Sequence, residues 1–212
     1  MPSLTKAYPT VQAFPDDDGM WLVVRSAVLN GLLREATFLI GIPTHAGVEP
    51  RAWAYWKEEE TFRWIGPRHT NFGDGSICAF SPDDGVWSDG GNLTTLVDLY
   101  SVWAFRHLHL EAKGRWPGKQ YTLVRADPLA QAYYRSRECR DDELCACGSE
   151  TRTYADCCKR ADAQYKFTDM VSAFLQAAPD GFPSRRSPAA VADFITGRSS
   201  LPRIRDVHQR VT

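Results

Sequence analysis

The 212-residue chain is 43% apolar and 24% charged, with a formal net charge of −1 at pH 7. That balance fits one ordinary domain with a small appendage and excludes a strongly basic nucleic-acid binder. No stretch approaches the ~20 consecutive apolar residues of a membrane span, and residues 1–19 lack the basic-then-apolar pattern of a secretory signal.

Pro2, Pro9 and Pro15 leave room near the start for at most a short helix, placed over residues 10–14. Asp16 to Gly19 read as a turn. Residues 20–28 (MWLVVRSAV) read as a strand rich in β-branched and aromatic side chains. Asn30-Gly31 is a hairpin signal, and residues 32–42 return as a second strand. After a loop over 43–50, residues 52–56 (AWAYW) form a third strand with alternating faces. Glu58 to Glu60 form a charged turn, and residues 62–65 a fourth strand. A meander followed by helices is an α+β pattern.

Residues 69–88 (HTNFGDGSICAFSPDDGVWS) hold the chemistry of this half. Turn formers from Asn71 to Gly75 precede a short apolar run containing Cys78, and Pro82 to Gly85 break that run. The spacing places the thiol at the wall of a shallow groove, with an amide and an imidazole upstream. A thiolate is both nucleophile and leaving group, and an Asn amide can donate to an oxyanion, so the set suits acyl transfer through a thioester. On spacing alone, Cys78 reads equally as an apolar filler and Asn71 as a turn residue.

Asn92 reads as the cap of a helix over 93–112, with Leu96, Leu99, Tyr100, Trp103, Leu108 and Leu110 on its buried face. Gly114 and Pro117 end it. His107 and His109 are two apart and cannot chelate together on a helix, so they read as packing or surface residues. Trp116 reads as a core anchor, residues 121–125 as one more strand, and residues 129–137 as a linking helix.

His69-Thr70-Asn71, Gly75-Ser-Ile-Cys78 and Trp87-Ser88 together resemble the His-Pro-Asn, Gly-x-Ile-Cys and Trp-Ser-Pro signature of ubiquitin-conjugating (E2) enzymes. Asn92 to Asp98 resembles the start of the helix after the E2 cysteine. The run from Trp103 to Gly118, ending Gly-Arg-Trp-Pro-Gly, resembles bacterial E2-like proteins of CBASS antiphage operons. Thr70 and Asp89 stand where the signature has proline. The resemblance implies a UBC-like fold over residues 1–128, a short antiparallel meander packed on helices. It implies a Cys78 thioester with a protein C-terminus, that of a cGAS-like nucleotidyltransferase, passed on to an amine. Asn71 would steady the oxyanion or hold the loop, His69 would brace the turn, and Trp87 would pack the loop covering the cysteine. The chain has no adenylating signature of its own, so activation falls to an E1-like partner in trans unless this type works without one. The alternatives are a catalytically silent E2-like scaffold, or a Cys-His hydrolase with Cys78 as nucleophile and His69 as base.

Of the six cysteines, Cys78 stands alone and five lie between Cys139 and Cys158, which suits a reducing cytoplasm. Cys145, Cys147, Cys157 and Cys158 form a C-x-C-x9-C-C pattern that can reach one tetrahedral Zn²⁺, with Cys139 outside it. A segment with so little core would draw most of its folding energy from the metal, making the zinc structural. A redox or disulfide pair is the competing reading. The Cys-x-Cys-Gly-Ser start and the Cys-Cys end resemble the SEC-C motif of the SecA translocase, giving a zinc module over 139–160. Residues 161–212 read as a helical extension and tail. They comprise an amphipathic helix over 162–178 and a short helix over 189–196 capped by Ser187. The last dozen residues, which are basic, read as mobile or docking. No nucleic-acid or membrane partner is expected.

Overall fold

The computed structural model describes residues 2–26, 34–45, 47–80, 85–88, 90–122, 127–178 and 185–208. In chain order its elements are α1 (Pro2–Ala7), β1 (Gln12–Asp16), β2 (Gly19–Arg25), β3 (Ala36–Pro43), β4 (Arg51–Glu58), β5 (Thr61–Trp64), α2 (Leu93–Lys113), α3 (Pro128–Glu138), α4 (Lys159–Asp162), α5 (Phe167–Ala177), α6 (Ala189–Ile195) and α7 (Ile204–His208). The fold is α+β, with the strands in one five-stranded antiparallel meander ordered β1-β2-β3-β4-β5.

The helix expected over 10–14 is strand β1, which pairs from Gln12↔Val23 to Asp16↔Gly19. Pro15 lacks an N–H but lies on an edge strand, where a ladder can do without one. Strands β2 to β5 fall on the four expected segments, while the Asn30-Gly31 turn between β2 and β3 lies outside the described residues.

Strand β4 is buried along most of its length because both sheet faces are covered. One face carries Trp21, Leu39, Trp53 and Tyr55, packed with Val191, Ile195, Ile204 and Val207 from α6 and α7. Each such side chain contributes about 1.5–3 kcal/mol on burial. The other face carries Phe38, whose ring lies 6.0 Å from that of Tyr100 on α2. The tail beyond residue 200 is therefore docked as far as it is described, ending in α7, and Trp21 Nε1 donates to the Pro202 carbonyl at 2.8 Å. Ser187 does not cap α6: Pro188 holds that position, and the Ser187 hydroxyl bonds the Tyr55 hydroxyl instead.

The chain forms two compact units, Met1–Phe105 with Arg185–Thr212, and Arg106–Ser184. These limits differ from sequence divisions at 128 and 160. The C-terminal helices complete the core of the first unit, whereas Trp116 and Gln120 bond the four-cysteine loop of the second. In the second unit Tyr133 of α3 packs on Phe174 of α5, with ring centroids 4.8 Å apart. The helix expected over 162–178 starts only at Phe167, as α5, after a break from α4, which ends at Asp162. The break falls where the buried Asp162 carboxylate takes two bonds from Arg135, at 2.6 and 2.8 Å. Of the strand expected over 121–125, Tyr121 forms one isolated bridge with Cys147, and residues 123–126 lie outside the described residues.

Candidate functional site

Two clusters carry chemistry, one in each unit. In the first, residues 67–78 leave the sheet after β5 as a tight polar loop. Thr70 and Ile77 form an isolated bridge that closes it, and Ile77 N–H donates to the Ala52 carbonyl on β4 at 2.7 Å. Asp74 makes an Asx turn, accepting Ser76 N–H at 2.9 Å, and its carbonyl accepts the Trp53 indole at 2.9 Å. Asp74 and Ser76 are buried, and Arg51 faces both, at 3.9 Å from the carboxylate and 3.4 Å from the hydroxyl. Cys78 follows this buried footing and is itself exposed.

The sequence-predicted residues are brought together as a braced turn. Asn71 Nδ2 donates to Ser76 Oγ at 2.9 Å and to the Ile77 carbonyl at 3.4 Å, so its amide holds the loop in this state. His69 adopts a left-handed backbone with φ of 50°, and its carbonyl accepts Cys78 N–H at 3.0 Å and the Trp103 indole at 2.7 Å. Thr70 holds the turn through its hydroxyl, which donates to the Pro67 carbonyl at 2.6 Å. Trp87 is buried, bonds the Asn92 carbonyl at 3.2 Å and packs on Phe80 with ring centroids 6.0 Å apart. Asn92 caps α2 as expected, accepting Thr94 N–H at 2.9 Å. Asp89 lies outside the described residues. Arg51, Asp74 and Ser76 were not singled out by motif. Asp74 is legible as a turn former, but its link to Arg51 is a tertiary contact.

In the second unit, the sulfurs of Cys145, Cys147, Cys157 and Cys158 all lie within 4.8 Å of one another. The Cys147–Cys157 and Cys157–Cys158 separations are 3.6 and 3.8 Å, too long for a disulfide, and none of the six cysteines is disulfide-bonded. Four thiolates about 2.3 Å from a central ion would stand about 3.8 Å apart, so the set fits one tetrahedral metal ion. Gly148 makes the turn between ligands with φ of 88°, and Ser149 Oγ accepts Arg152 N–H at 2.9 Å. Burial raises the Cys158 thiol, and the neighbouring Cys145 sulfur raises it further. For Cys147, burial acts upward, but hydrogen bonds from Cys157 and the Ser149 backbone prevail and lower it.

The four-cysteine loop is tied to the segment after α2 by buried Glu143, which accepts Trp116 N–H at 2.6 Å, Arg140 N–H at 3.0 Å and Gln120 Nε2 at 3.3 Å. Trp116 is a core residue, as expected, and lies edge-on to buried His107 with ring centroids 5.1 Å apart. Among the described residues no helix is long and apolar enough to cross a membrane. No family model, curated protein or solved structure matches the chain.

Proposed function

We propose that this chain is an E2-like conjugating protein with a UBC-like core over residues 1–128, acting through a thioester on Cys78. The observation that carries the reading is the exposed Cys78 thiol at the end of a loop whose polar groups are bonded inward. A short helix, an antiparallel meander, a cysteine loop and a long helix follow one another in the order that the E2 resemblance implies. Cys78 Sγ attacks an activated C-terminal carbonyl, the activating group leaves, and the acyl group is held as a thioester. An acceptor amine then attacks the same carbon and releases the thiol.

Asn71 and His69 act in this reading as braces, because the Asn71 amide and the His69 carbonyl already bond the loop and α2. Oxyanion donation by Asn71 would require it to give up one of its two loop bonds, of which the 3.4 Å bond to the Ile77 carbonyl is the longer. The resemblance names a cGAS-like nucleotidyltransferase as donor and an E1-like protein as activator, in a cytoplasmic antiphage setting. The four-cysteine cluster is read as a SEC-C-like structural zinc module: a closed thiolate set supplies folding energy and leaves no open position for substrate.

Co-expression with such a nucleotidyltransferase, followed by reducing and non-reducing gels, tests the reading. A thiol-labile adduct lost in Cys78→Ala is the expected result. A stable complex unchanged by Cys78→Ala, with no adduct, would instead establish the scaffold role.

A further inference from the structure

The segment that re-enters the first unit at residue 185 meets the Cys78 loop directly. The Arg185 guanidinium lies 4.4 Å from the centre of the Phe72 ring, and its Nη1 donates to the Pro67 carbonyl at 3.1 Å. Pro67 and Phe72 flank the stretch that carries His69 and Asn71, so one side chain ties both of its ends. The next residue presses on the same loop. A Cβ built on Gly75 would fall 2.6 Å from the carbonyl carbon of Arg186, and Gly75 has φ of 65°. Both the backbone conformation and this close approach demand glycine there.

Ser187 then bonds the Tyr55 hydroxyl on β4, and burial pushes that phenol up to about 12, keeping it protonated. From there α6 and α7 carry Val191, Ile195 and Ile204 into the core. Residues 185–187 therefore connect the loop to the sheet through a segment that is itself anchored.

We infer that Arg185 is a positioning residue for Cys78, fixing the turn from which the thiol projects. It does not touch the reacting atoms. It holds the backbone between Pro67 and Phe72, and the His69 carbonyl within that stretch in turn receives the Cys78 amide. The use to which the position is put rests on the thioester reading, whereas the brace is measurable without it.

Hydrogen exchange on the intact, metal-loaded protein reads the brace directly. Asn71, Gly75 and Cys78 donate their amides within the loop, at 2.8, 3.0 and 3.0 Å. In Arg185→Ala these amides exchange about tenfold faster, while β4 and the metal-binding loop keep their wild-type protection. Arg185→Lys restores most of the protection, because an ammonium keeps a cation near the Phe72 ring and one donor for Pro67. With a nucleotidyltransferase donor, Arg185→Ala forms the Cys78 adduct about tenfold more slowly at saturation, with the half-saturating concentration unchanged. Unchanged loop exchange in Arg185→Ala overturns the inference, and so does an equal loss of protection throughout the sheet. Loop loosening in a protein that forms no adduct upholds the brace and rejects the thioester reading instead.

Discussion

Trp103 on α2 donates its indole N–H to the carbonyl of His69 at 2.7 Å, from a buried ring to a partly buried turn. The same oxygen accepts the amide of Cys78, so one carbonyl joins the helix to the thiol's own backbone. His69 needs such support, since a non-glycine residue with φ of 50° lies in a region that costs about 1–2 kcal/mol. Trp103→Phe keeps most of the packing and removes the donor. It is expected to lower stability by about 1–2 kcal/mol in urea denaturation and to speed exchange of the Cys78 amide. An unchanged exchange rate would show that the helix does not set the loop.

The cysteine cluster predicts a stoichiometry and a pH dependence. Purified protein should hold about one metal ion per chain by elemental analysis, and Cys147→Ser should lose it. Ligand thiolates compete with protons, so affinity falls as pH falls and the ion is released on acidification. Cobalt substitution should give the visible absorption of a tetrahedral thiolate site. Metal-free protein with full protection of the Cys145–Cys158 loop would reject a structural metal.

Much of this arrangement was legible in the chain because local chemistry fixed it. Turn formers around Asn71 and Asp74 mark the loop, the spacing of the four cysteines marks the cluster, and Asn92 marks the start of α2. What escaped depends on contacts between distant segments. Gln12 to Asp16 become a strand only because β2 offers an edge, and Ile204 and Val207 read as a sparse tail until the sheet face receives them. Arg185 looks like one member of a basic loop, and nothing in its neighbours announces Phe72 or Pro67.

The Arg135–Asp162 pair is the next quantity to measure. Both side chains are buried, and the two hydrogen bonds, at 2.6 and 2.8 Å, are bidentate. Removing one partner leaves an uncompensated charge, which costs about 3–5 kcal/mol in such settings. Asp162→Ala should therefore shift urea-induced metal release to much lower urea, read with a chromophoric indicator. Asp162→Asn retains an acceptor for the guanidinium and should fall between the two. Equal release profiles for all three proteins would show that the pair does not support the cysteine cluster.

His208 at the end of α7 gives the first unit an acid-sensitive contact. Burial lowers its pKa, and the nearby Arg51 charge lowers it further, while Asp74 and the Gly41 backbone pull the other way. The fold thus favours the neutral imidazole, whereas the unfolded chain protonates it near its ordinary value of about 6.5. Above that pH the group leaves stability unchanged. Below it the unfolded state binds the proton more readily, so stability falls with pH until the folded value is also passed. His208→Gln cannot take up that proton. Between pH 7.5 and 5.5 the urea midpoint of the wild type should drop more steeply than that of His208→Gln, as read by tryptophan fluorescence. Parallel pH profiles would mean that His208 carries the same proton affinity in both states, and that α7 docks without regard to its charge.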